Sequence, residues 1–192
     1  MIEDRIKPLD NESGSVSLRP NIDRPAMRDR SIPSPSEKFE NCKNIGDVFE
    51  LVKETTERSI GLRRAGLTLY LVDLPMNIGG LHQIGSNTIV MNRTLLMAIG
   101  SMAESKKDVN SFVYLILLHE YLHALGYAKE ETVRELAYNI SMSTFGQDHD
   151  ITKLSKMGFS HILQRISHVP REKGSTVEIV RDFDRSSMSY IG

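Results

Sequence analysis

Between Ser111 and Gly126 the chain reads SFVYLILLHEYLHALG, an apolar run interrupted by two histidines four residues apart and a glutamate directly behind the first. Phe112, Ile116, His119 and His123 fall into one line at helical spacing, so the run predicts a helix that carries polar groups into an interior. Two imidazoles and a carboxyl in such a place each need a partner, and whatever fold the chain adopts has to supply it. One cation would serve all three. Positions four apart lie one turn above each other, so both rings can converge on a single ion. Glu120 is rotated by about 100° from His119, where it reaches a water without occupying a coordination position.

Composition narrows the alternatives. The 192 residues suit one domain with tails, and 24 Lys and Arg against 25 Asp and Glu give a net charge of −1, which offers no broad attraction to nucleic acid or anionic lipid. Cys42 is the only cysteine, which excludes a disulfide framework and a thiol-rich zinc knuckle and fits a reducing compartment. No stretch approaches the roughly 18 apolar residues of a membrane span, and MIEDRIKPLD lacks the apolar core of a signal peptide. The expectation is a soluble, cytoplasmic protein.

Along the chain, residues 1–38 hold five of the seven prolines without a sustained apolar period, and read as a flexible, disordered arm. A helix is expected from Ile45 to Ala65, a strand from Leu67 to Asp73, and a hairpin around Leu81–Met91 turning at Gly85, Ser86 and Asn87. Asn92 caps a further helix reaching Ser105, and Asp108 or Asn110 opens the histidine-bearing one. After Gly126, a helix from Lys129 to Phe145 and another from Asp150 through Ser167 are expected, with a C-terminal tail over 171–192.

His119-Glu120-Tyr121-Leu122-His123 resembles the signature of the zincin metallopeptidases. The resemblance covers the motif and the element order before it, about half the chain. It implies an α+β fold: a single zincin-like domain over 39–170, with a small mixed sheet, the HExxH helix and a following ligand-bearing helix. It also implies zinc as cofactor, peptide or protein as substrate, and an edge strand, here the hairpin, that pairs with extended substrate. Zincins with glycine at the place of Gly126 often use a histidine three residues on, where this chain has Lys129. The better resemblance is to gluzincins and their small single-domain relatives, whose third ligand is a glutamate.

A length argument locates that glutamate. An antiparallel helix starting near Lys129 returns to the level of the ion after about five residues at 1.5 Å each, a level that Glu131 and Glu135 bracket; Glu135 is preferred, with Glu131 in reserve and His149 third. The expected metal set is therefore His119, His123 and Glu135, with Glu120 as general base. Tyr127, Tyr138 and His161 are further donor candidates, and the Cys42 thiolate a candidate zinc cap. HEYLHALGY also resembles the H-G-x-L-H-x-x-G-Y-D-H stretch of bacterial endoribonucleases that mature ribosomal RNA, with Glu120 in place of its glycine and Lys129 in place of its third histidine. A non-catalytic, zinc-pinned interaction module is the remaining alternative.

Overall fold

Alternation of apolar and polar residues in TLYLV and TIVMN builds a sheet with one buried face. The computed structural model describes residues 32–158 and 177–186, and its sheet consists of β1 (Thr68–Val72), β2 (Gly80–His82), β3 (Thr88–Asn92) and β4 (Glu178–Val180) in the order β2-β3-β1-β4. β1 and β3 run parallel with Leu69 opposite Ile89 and Leu71 opposite Met91, and these four side chains form the buried face. The edges are antiparallel: Leu81 of β2 faces Val90, and Ile179 of β4 faces Tyr70. The sheet is mixed, as expected, and the hairpin is β2–β3.

Six helices accompany it among the described residues. α1 (Pro35–Glu40) starts at a capping box on Ser34 and buries Phe39, so ordered structure begins inside the stretch expected to be arm; residues 1–31 lie outside the described residues. α2 (Ile45–Ile60) is capped by Asn44 and stops at Gly61, whose φ of +71° closes the helix five residues before the expected end. α3 (Arg93–Met102) starts from Asn92 as read.

α4 (Lys106–Ala124) is the histidine-bearing helix. Ser105 and Asp108 close a capping box that sets its start slightly ahead of the residues expected to open it. It is buried on nearly every side, packing against α2, α3, α5 and β2. α5 (Glu130–Phe145) runs unbroken past Ser141, and α6 (Asp150–Met157) follows. Residues 159–167, expected to extend that last helix, and His161 lie outside the described residues.

Residues 177–186, within the stretch expected from 171 onward as tail, pair with the sheet and bury Phe183 and Asp184. β4 occupies the sheet edge beside β1, and Phe183 stacks on Phe49 with centroids 4.0 Å apart. Asp184 meets the fully buried Lys53 ammonium at 2.5 Å, with Ser186 Oγ at 2.6 Å and Glu50 at 2.7 Å from the same nitrogen. A three-residue strand flanked by charges is below what periodicity can register; its partners, not its own pattern, fix it. Among the described residues no helix is long and apolar enough to cross a membrane. The described fold is α+β, as expected.

Candidate functional site

Local sequence explains how α4 delivers its motif. The rings of His119 and His123 meet edge to face one turn apart with centroids separated by 4.9 Å, while Glu120 lies beside them toward β2 and is 5% exposed. There it meets β2. A Cβ on Gly80 would stand 3.0 Å from Glu120 Cγ and 2.9 Å from the Val90 carbonyl, so this strand approaches the helix only because residue 80 is glycine.

The chain then turns back sharply. Leu125 caps α4, Gly126 takes φ +104°, and the Tyr127 carbonyl accepts a hydrogen bond from His123 Nδ1 at 2.7 Å. α5 begins at Glu130, and its carboxylate reaches both rings at once: Oε1 lies 3.1 Å from His123 Nε2 and Oε2 lies 3.3 Å from His119 Nε2. One ligand atom from each of His119, His123 and Glu130 falls within 4.8 Å of the others.

That arrangement fits a metal. Because His123 Nδ1 donates to a carbonyl, a neutral ring presents its Nε2 lone pair to a carboxylate oxygen, a pairing that either a metal ion between them or protonation of the ring satisfies. Burial lowers the pKa of His119, which favours its neutral, ligating form even though the Glu130 carboxylate pulls the other way. Ligands about 2.0–2.1 Å from a tetrahedral ion stand roughly 3.3 Å from one another; here each ring lies near that distance from a different oxygen of the Glu130 carboxylate.

The structure thus brings Glu130, not Glu135, to the two histidines. Glu135 lines the neighbouring cleft and Glu131 is exposed. The length estimate assumed that the return to the ion's level happens along α5, whereas the turn at Gly126 completes it before the helix begins. Lys129 is the residue before α5 and makes no side-chain cap. His149 sits at the far end of α5, accepting from Ile151 N at 3.2 Å and stacking on Phe145. Cys42 donates to the Lys38 carbonyl, burial pushes its thiol up to about 11, and it is not among the residues gathered at His119, His123 and Glu130.

Around the cluster opens a cleft of about 960 Å³. Backbone from Asn77 to Gly80 forms one wall, Phe112, Leu115 and Ile116 of α4 the floor, and α5 and α6 the opposite wall, with Tyr138 among its residues. Phe112, Ile116 and His119, in one line on α4, therefore line this cleft. Within it, burial raises Glu120 to about 8, with the Glu130 charge adding to the effect.

Two residues that position the site were read only for other roles. Asn92, noted as a helix cap, is fully buried; its Nδ2 donates to the carbonyls of Leu74, Pro75 and Ile78 at 3.1, 3.0 and 2.8 Å, and its Oδ1 accepts from Leu74 N at 3.2 Å. It thereby fixes the loop that leads into the cleft wall. Arg64, inside the helix expected from Ile45 to Ala65, donates to Ala124 O at 2.5 Å, Ser86 O at 2.7 Å and Asn87 Oδ1 at 2.7 Å, tying the hairpin turn to the end of α4. No protein-family model, curated protein or solved structure matches the chain.

Proposed function

We propose that this protein is a zinc-dependent peptide hydrolase of the zincin kind, in which His119, His123 and Glu130 hold the ion and Glu120 is the general base. The observation that carries the reading is the convergence of ligand atoms of His119, His123 and Glu130 within 4.8 Å of one another, beside a buried carboxyl in an open cleft. When bound, zinc polarises a carbonyl and makes a water acidic enough to lose its proton near pH 7.

The chain's own groups do the rest. A Glu120 carboxylate oxygen takes the proton of the attacking water and returns it to the leaving amine. The Tyr127 carbonyl fixes the His123 tautomer through Nδ1, so Nε2 stays free to ligate. β2 is a sheet edge next to Glu120, and its outward backbone groups suit pairing with an extended peptide. The Glu130 side chain is 56% exposed, which favours a site with solvent access over a closed structural one. The single cysteine supports a cytoplasmic location.

Zinc content by mass spectrometry, combined with cleavage of a mixed peptide library, tests the reading. Wild type and Glu120→Gln should each retain one zinc, and only wild type should cleave. Absence of any retained divalent ion, or full turnover by Glu120→Gln, refutes it.

A further inference from the structure

We propose that α6 is held by an acid-sensitive latch: His149 caps the helix only as a neutral imidazole, and its protonation frees α6 together with the cleft wall that Leu154, Ser155 and Lys156 build. The cleft is complete at neutral pH and opens in acid. This goes beyond the hydrolase reading and does not rest on it.

With eight residues, α6 is too short to persist in water without outside support. Its side-chain anchors lie in the first turn. Ile151 is fully buried, Thr152 Oγ1 donates to the Ser141 carbonyl at 3.1 Å, and His149 Nδ1 accepts from Ile151 N at 3.2 Å. The second turn carries the cleft wall: Leu154 packs against the core, while Lys156 and Met157 are exposed. Loosening the first turn therefore moves that wall.

Asn, Asp, Ser and Thr cap helices at any ordinary pH or most of it; histidine does so in one protonation state. Neutral, with its proton on Nε2, the ring offers the Nδ1 lone pair to the Ile151 N–H. Protonated, Nδ1 is a donor facing another donor, and a positive charge stands at the positive end of the helix dipole. The charges around the ring are mixed. Lys107 of α4 and Lys153 of α6 oppose a charge on it, while Asp150 of α6 and Glu40 of α1 favour one. From α1 and α5 the rings of Phe39 and Phe145 enclose it, at centroid distances of 5.7 and 4.7 Å. The Phe145 face attracts a cation weakly, but both rings displace water, and burial, followed by the Lys107 charge, holds the His149 pKa below the usual 6.5.

A released α6 leaves His149 an ordinary imidazole, so the released form takes up the proton first. The latch is whole above pH 6.5, weakens as pH falls below it, and stops weakening beneath the lowered pKa. Amide hydrogen exchange of the full-length protein between about pH 8 and pH 5 tests this, read as protection factors of residues 153–157 relative to those of α5 so that changes in global stability cancel. In wild type the ratio should fall about tenfold, the loss of one cap plus the adverse dipole. His149→Asn, whose cap does not titrate, should hold the ratio constant. Lys107→Gln removes the opposing ammonium and frees its partner Glu40, so the midpoint should move up toward 6.5, which decides the matter should His149→Asn fail to fold.

A flat profile in wild type, an equal fall in His149→Asn, or a midpoint that Lys107→Gln leaves in place overturns the latch. Each of these leaves the zinc reading standing, since metal content decides that separately.

Discussion

Replacing Glu120 by glutamine should stabilise the ion-free protein at neutral pH, the reverse of what substituting a buried residue usually does. The carboxyl is 5% exposed, packed on Gly80, and raised from 4.5 to about 8 by burial and by the Glu130 charge. Between those two values the folded chain keeps a proton that the unfolded chain has released. Stability therefore falls as pH rises from 4.5 to about 8, and levels off above it.

At about 1.36 kcal/mol per unit, the penalty at pH 7 is roughly 3 kcal/mol. Glutamine has the same shape and no such penalty. Melting curves in EDTA should therefore coincide for the two proteins at pH 4 and diverge with rising pH, the variant melting roughly 10 °C higher at pH 7 for a domain of this size. Titrations common to both proteins cancel in the difference. A constant offset across pH 4 to 8, or a variant less stable at pH 7, would refute the reasoning.

Zinc analysis should show Glu130→Ala losing the ion at concentrations where Glu135→Ala retains it, since only Glu130 meets the two rings; equal retention by both would remove Glu130 from the ligand set. Asn92→Asp keeps an acceptor for the α3 cap but turns a second oxygen toward the carbonyls of Leu74, Pro75 and Ile78. Urea melts should register about 2–3 kcal/mol of destabilisation with zinc stoichiometry unchanged, and a loss under 1 kcal/mol would speak against the loop anchor. Lys53→Ala should cost about 3–5 kcal/mol, because the buried Asp184 carboxylate loses its ammonium counter-charge. Burial pushes Asp184 up, but hydrogen bonds from Lys53, Leu67 N and Ser186 N bring it below 3.8 overall. Its contribution is thus present above pH 3.8 and lost as pH falls further, so denaturation curves of wild type and Lys53→Ala should converge in acid.

What was legible in the sequence follows from the range of the interaction that fixes each feature. α2, α3 and the β2–β3 hairpin were readable because caps and turns are local: Asn44, Asn92 and Gly85 act on neighbours within a few residues. β4 was not, because its three residues owe their conformation to β1, more than a hundred positions earlier, and to the Lys53–Asp184 pair.

The same distinction runs through the site itself. His119, Glu120 and His123 share one helix, so their relative placement follows from a single pitch and could be derived without a fold. The third carboxylate belongs to another helix, and its identity depends on how many residues the intervening turn consumes in height. Pairing of Gly126 N with the His123 carbonyl at 2.9 Å and of Tyr127 N with the Leu122 carbonyl at 3.2 Å reverses the chain within two residues of Leu125. From that turn Glu130, at the very start of α5, already stands beside the rings, and a carboxylate one turn later has passed them. A glycine directly after an HExxH helix therefore shortens the expected spacing to a glutamate ligand by about one helical turn, and lengthening this connection by residues inserted after Ala128 should shift ion binding away from Glu130, which zinc analysis of such insertions against Glu130→Ala would show.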